Sequence, residues 1–447
     1  MKTGSKEADL STDYEKNSLT LFDAIAMGTG VMIGAGILAL TGQIAELAGP
    51  YFPFAFVSGA IVTAFSAYTY VKMSNAYPSA GGIGMILQKA YGATAVTAGA
   101  ALLMALSMVI NESLVARTFA TYLLRGIDLA PTGWPVPLIA VCVILFAWLV
   151  NASGNRSVGL FSTVMAVLKV GGIAVFGIAA LWAGGFSFEA TGSSTDIGGF
   201  TGFVASTALA ILAFKGFTTI TNSGAEITDP HRNVGQAIVF AIGICILVYL
   251  LVAFAVGSSL PLETIIEAKD YALAEAARPA LGSVGFYLTV ALALVATASG
   301  LIASMFAVSR MLAMLTDMKL IPHSHFGMPG VIRDHTLVYT VVVASGLAVF
   351  FDLSQIASLG AFFYLVMDII IHWGVFRHLR EDIGARGWMM LAAIGLDTIV
   401  LIAFVVLKWQ QDPAIVVYAV VGIAAVFAFV KTFLHFNPPD AHQHHIR

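Results

Sequence analysis

Apolar residues fall along this chain in long blocks separated by short polar stretches, without the strict alternation of half-buried strands. About twenty apolar residues give a helix long enough to cross the hydrocarbon of a bilayer. On that measure the pattern predicts twelve spans, at 19–48, 52–75, 94–124, 135–152, 157–184, 201–228, 233–259, 283–315, 336–352, 355–378, 387–408 and 413–434. The first block is interrupted. Gly28-Thr29-Gly30-Val31-Met32-Ile33-Gly34-Ala35-Gly36-Ile37 places four glycines in its middle, where glycine weakens a helix by about 1 kcal/mol relative to alanine and lets other groups approach the backbone. The expectation is a broken membrane helix whose freed N–H and C=O groups face protein or a water-filled cavity. Ala213-Phe214-Lys215-Gly216-Phe217-Thr218-Thr219 interrupts the sixth block in the same way. Spans 1 and 6 are five apart, the relation expected if spans 1–5 and 6–10 are inverted repeats.

Composition agrees with this and adds a topology. With 59% hydrophobic and 11% charged residues and a mean hydropathy of +0.89, too little polar surface exists to clothe a soluble globule. With a cytoplasmic N-terminus, fifteen Lys/Arg of the loops and tails fall on that side and four, Arg125, Lys269, Arg278 and Lys408, on the other; the excess puts both termini in the cytoplasm. The formal charge of −3 and the lack of a basic block give no reason to expect nucleic acid. Cys142 and Cys245 lie within spans and point to neither a disulfide framework nor a metal site. Residues 1–18 and 435–447 read as cytoplasmic tails, 185–200 as an external linker, and 260–282 as an amphipathic stretch, either a surface helix or a lid.

Gly30-Val31-Met32-Ile33-Gly34-Ala35-Gly36-Ile37 resembles the first-helix motif of the amino acid-polyamine-organocation transporter superfamily. Phe214-Lys215-Gly216-Phe217, with Glu226-Ile227-Thr228-Asp229-Pro230 and Arg232-Asn233, is similar to its sixth-helix region. Tyr77-Pro78-Ser79-Ala80-Gly81-Gly82 resembles its loop after helix 2, and Ser309-Arg310-Met311-Leu312 with Pro322 the end of its helix 8. The resemblance implies a LeuT-type fold: a ten-helix core at 19–380, made of repeats 19–184 and 201–380, followed by two peripheral helices at 387–434. It implies transport by alternating access. In that architecture the N–H groups from Met32 and Ile33 through Gly34, Ala35 and Gly36 would meet a substrate carboxylate, and carbonyls of Phe214, Lys215, Gly216 and Phe217 its amino group.

Polar residues inside spans are the remaining candidates. An unpaired ammonium at mid-bilayer costs about 2.5–3.5 kcal/mol on insertion scales, so such a group marks a functional position. Lys169 has no acidic neighbour on its own helix and is a candidate proton carrier. Proton-coupled members of the resembled family hold a lysine at the matching place, bridging helices 1 and 8, which would bring Lys169 near Gly30 and Ser299 or Ser304. Lys215 departs from that family's uncharged residue; it binds an acidic substrate, carries a proton, or snorkels to an aqueous vestibule. Ser107 and Asn111, four apart, share a helix face and can line a pocket. Glu112 and Arg117 read as an internal ion pair, Asp368 and His372 as a relay or a structural pair, and Asp397 as a packing or oligomer contact.

The chain therefore reads as a multi-pass cytoplasmic-membrane transporter whose partners are a small amino acid, neutral rather than cationic, a proton, and the lipid bilayer. An exchanger without ion coupling and a non-transporting sensor are the rival readings. No catalytic residue, cofactor or metal ligand set is expected, and no ATP-binding loop is present.

Overall fold

The computed structural model describes residues 17–79, 81–152, 155–183, 199–321 and 332–437, without the side chains of Ala35, 155–164 and 332–334. The expected tail 1–16, most of the linker 185–200, Ala80, Pro322 and residues 438–447 lie outside these. The described chain is helical: α1 Leu21–Val31, α2 Ile37–Ala48, α3 Phe52–Ala76, α4 Gly82–Tyr91, α5 Ala95–Gly126, α6 Pro135–Ala152, α7 Asn155–Ala183, α8 Gly199–Phe214, α9 Thr218–Asn222, α10 Pro230–Ser259, α11 Leu262–Glu267, α12 Ala272–Asp317, α13 Ile332–Phe350, α14 Leu353–His378, α15 Gly387–Gln411 and α16 Pro413–Phe436. Among the described residues ten helical segments are long and apolar enough to cross a membrane, and Leu21–Gly34 and His335–Phe350 are shorter apolar helices. The protein is an all-α polytopic membrane protein, with a helix in each predicted span.

Local chemistry sets the boundaries. Thr20 and Asp23 form a reciprocal capping box that starts α1, and Asp352 and Gln355 form another that starts α14. Between α2 and α3 the chain reverses at Gly49-Pro50, where Gly49 takes φ +59°, a value side chains disfavour. Gly282, at φ +67°, kinks α12 where the eighth span was expected to begin.

Burial separates a core from a lipid belt. In the apolar windows of α5 and of the α8–α9 segment 89% is buried, against 33% in α6 and α15 and 28% in α16. Leu149, Ile399 and Val421 keep large apolar side chains on the outside, as a bilayer solvent requires. The centre holds α1, α2 and α8, packed by α5, α10 and α12.

Both ends of this centre are tied. At one, Leu19 N–H donates to the Glu226 carbonyl at 3.0 Å, Thr228 N–H to the Leu19 carbonyl at 2.8 Å, and Arg310 Nη1 pairs with Glu226 Oε1 at 2.6 Å. At the other, the 260–282 stretch folds onto α2. Lys269 Nζ pairs with Glu46 at 2.7 Å, Gln43 Nε2 donates to Asp270 at 2.6 Å, Arg125 pairs with Glu275, and the Lys269 backbone lies where a Gly42 Cβ would stand. Burial pushes the Asp270 carboxyl above the usual carboxylate range, against the downward pull of Lys269. The stretch is thus a packed cover, with Leu262, Ile265 and Ala272 in the core.

Candidate functional site

The two glycine-rich interruptions meet, and neither is unwound. Met32–Gly36 is one π-helical turn, and Val31, Met32, Gly36 and Ile37 all keep right-handed helical angles. The expected break, with the N–H groups of Ile33 to Gly36 free, is here a local widening. A π turn changes the carbonyl register while the chain bonds i→i+5, so a buried segment gains irregularity without orphaning its donors. Lys215–Phe217 is a 3₁₀ turn between α8 and α9, a tightening opposite the widening.

Close approach explains the glycines. A Cβ on Gly216 would stand 2.7 Å from Met32 Cγ and 2.8 Å from Met32 N. One on Gly36 would meet Tyr249 Oη at 2.4 Å and the Ala213 carbonyl at 2.8 Å, and one on Gly34 would lie 3.2 Å from the Ala296 carbonyl of α12. Tyr249 of α10 uses the space Gly36 leaves. Its hydroxyl lies 2.6 Å from the Met32 carbonyl and 3.0 Å from that of Ala213, one donor shared between the two interruptions.

Beside this junction is a cavity of about 10 Å³, roughly the space one water requires. Of the residues expected from sequence, Gly36, Asn111, Lys215, Gly216 and Ser304 line it; Val31, Met108, Leu212, Ala213, Thr218 and Thr219 complete the wall. Met32, Ile33, Gly34, Phe214 and Phe217 pack in the core around it, and the side chain of Ala35 lies outside the described residues. Ser107 turns away: its hydroxyl donates to the Gly360 carbonyl at 3.1 Å. Met108 was missed although it stands three before Asn111, a spacing that also shares a helix face.

Lys215 does not snorkel. It is 5% exposed, and Nζ donates to the Ser107 carbonyl at 2.7 Å and the Ser107 hydroxyl at 2.8 Å, 5.8 Å from the Tyr364 ring centre. The expected Glu112–Arg117 pair is absent. Five residues along a helix turn a side chain by about 140°, so Arg117 leaves to donate to the Ala348 carbonyl at 2.7 Å. Glu112 instead faces Lys215 and Ser304, fully buried, with neither oxygen in hydrogen-bond geometry with a described residue.

Lys169 crosses between helices as the sequence reading anticipated for Gly30. Its ammonium donates to the Gly30 carbonyl of α1 at 2.9 Å and to the Ala296 carbonyl of α12 at 3.4 Å. Ser299 reaches the same Ala296 carbonyl at 3.2 Å and that of Val295 at 2.8 Å, whereas Ser304 belongs to the cavity. Lys169 is 2% exposed and has no carboxylate partner among the described residues.

Asp397 is not a peripheral contact. It is fully buried and faces His372, whose Nε2 lies 3.3 Å from Asp368 Oδ2 and 3.9 Å from Asp397 Oδ2. Asp368 also accepts from Ser66 at 2.7 Å and Tyr70 at 2.5 Å.

A family model described as amino acid permease matches residues 19–444. The chain is 27% identical over 412 residues to the inner membrane transport protein YbaT of Escherichia coli, covering 90% of this chain and 93% of that protein. It is 25% identical over 454 residues to the branched-chain amino acid permease BcaP of Lactococcus lactis (92% and 94%). Against the methylthioribose transporter of Bacillus subtilis the identity is 27% over 368 residues (76% and 77%).

Proposed function

Because this chain belongs to the amino acid permease family, a family of membrane transporters and not of enzymes, we propose that it carries a neutral amino acid into the cell together with a proton. The proposal takes the LeuT-type fold, with repeats 19–184 and 201–380, and alternating access as its frame. The tie of Leu19 and Glu226–Arg310 then lies at the cytoplasmic end, and the fifteen-to-four distribution of Lys/Arg supports both termini on the cytoplasmic side of the membrane.

One observation carries the coupling. An ammonium held by carbonyls of α1 and α12, without a counter-charge among the described residues, makes two charge-assisted hydrogen bonds between the helices. Deprotonation removes the charge that strengthens both bonds, so the neutral amine holds α1 to α12 more weakly, a two-state element that a proton biases. The cavity supports the substrate class. Among the described lining residues Lys215 alone is ionisable; it opposes a cationic side chain, and its ammonium is already bonded to Ser107 rather than free for an anionic one. Asn111, Thr218 and Thr219 offer uncharged polar groups. A cavity of about 10 Å³ admits no amino acid, so entry requires the α1–α2 and α8–α9 segments to separate around Tyr249.

Purified protein in sodium-free proteoliposomes, offered a panel of labelled amino acids with and without an inward proton gradient, tests this. Gradient-driven uptake of neutral amino acids that Lys169→Ala abolishes is the expected result. Uptake that ignores the gradient and needs internal solute would make the protein an exchanger.

A further inference from the structure

Transport as described leaves the group between α3, α14 and α15 without a task. We propose that Asp368, His372 and Asp397 form a binding site for one divalent metal ion of the zinc class. Their ligand atoms converge within 4.8 Å of one another and all three side chains are buried.

Spacing is the first argument. A proton shared between such groups holds the heavy atoms at about 2.5–3.0 Å, but His372 Nε2 stands 3.3 Å and 3.9 Å from the two aspartate oxygens. Metal–ligand bonds of about 2.0–2.2 Å in a tetrahedron put neighbouring ligands roughly 3.3–3.6 Å apart, so the His372–Asp368 edge fits as it stands, the His372–Asp397 edge needs a contraction of a few tenths of an ångström, and the Asp368–Asp397 edge lies within 4.8 Å.

Unmet polarity is the second. Both Asp397 oxygens and His372 Nε2 are buried without a partner in hydrogen-bond geometry among the described residues. Among the described residues neither aspartate pairs with a lysine or arginine; Lys215 stands against the ring of Tyr364 and is bonded to Ser107. Two carboxylates inside a membrane protein must be neutralised, by protons or by a cation, and one metal ion bound between them would neutralise both.

The surroundings already have the second layer a metal site needs. His372 Nδ1 lies 2.9 Å from Thr69 Oγ1; donating there, the ring turns the Nε2 lone pair toward both carboxylates. Ser66 and Tyr70 orient Asp368. An N,O,O ligand set suits zinc better than the softer or harder metals. The ion would fasten α14 and α15 together. Through Tyr70, whose ring meets that of Phe217 at 5.2 Å, it would also brace the 3₁₀ turn.

Elemental analysis of protein purified without added metal and then exposed to micromolar zinc should find about one zinc per chain, and Asp397→Asn and His372→Gln should lose it. Since either substitution could disturb folding, the wild type supplies the second measurement: a zinc chelator should lower its unfolding temperature by several degrees and added zinc should restore it. Cobalt in place of zinc should give the visible absorption of a tetrahedral site. Wild-type protein that retains no zinc and whose unfolding temperature ignores chelator and metal alike overturns the proposal and leaves the group to protons. None of these readouts depends on transport.

Discussion

Lys169 and Lys215 are both buried ammonium groups in apolar helices, 2% and 5% exposed, yet they are held in different ways. Lys169 reaches out of α7 to backbone carbonyls of two other helices and meets no carboxylate among the described residues. Lys215 sits in the 3₁₀ turn, is bonded to one residue of α5, and faces Glu112 on that same helix. A charge balanced by a nearby opposite charge contributes to structure and selectivity; a charge balanced only by carbonyl dipoles is the one whose protonation can switch a contact. On the proposed reading, coupling then falls to Lys169, and Lys215 is left with structure and selectivity.

Removing Lys169 should give the largest effect. Lys169→Met should cut gradient-driven uptake by roughly tenfold to a hundredfold, the range of a coupling of about 1–3 kcal/mol, while Lys215→Met keeps its response to the gradient. Equal loss of gradient response in both would erase the distinction. In stability the order reverses. Lys215→Met removes the cation that faces Glu112 and leaves the buried Ser107 carbonyl without that donor, a loss of about 1–3 kcal/mol. The double variant Lys215→Met/Glu112→Gln should recover much of that loss in a thermal unfolding assay; a double no more stable than the single would show that the two charges do not compensate each other.

Two smaller effects sharpen the geometry between them. Gly216→Ala drives a Cβ into Met32 and should destabilise by about 1–3 kcal/mol, whereas Gly171→Ala on α7, with nothing within 4 Å of the new Cβ, should be neutral or stabilising. Tyr249→Phe removes the hydroxyl shared by Met32 and Ala213. The expected loss is about 1 kcal/mol, with a raised KM for uptake as the functional readout.

Much of the architecture was legible because bilayer-spanning helices announce themselves by length and apolarity, and each block became a helix or a short chain of helices. Gly49, Gly282 and the two capping boxes were not read from the sequence, although their backbone demands are met by neighbours along the chain. The site was only partly legible. Lys169 to Gly30 came from a resemblance, and five of the fifteen anticipated residues line the cavity. Asp397 was assigned to the periphery because its own helix is apolar around it and shows nothing of α14. Glu112 and Arg117 were paired by proximity along the chain, which ignores the helix rotation that separates them.

By itself the sequence determined that this is a polytopic helical membrane protein and which two of its helices are interrupted, because hydrocarbon solvent and glycine act within a few turns of the chain. The tertiary structure decided that the interruptions are a π turn and a 3₁₀ turn in contact, and which carboxylate faces which lysine. Those outcomes depend on the rotation of each helix about its axis, and among apolar helices that rotation is set by side-chain packing against neighbours distant in sequence.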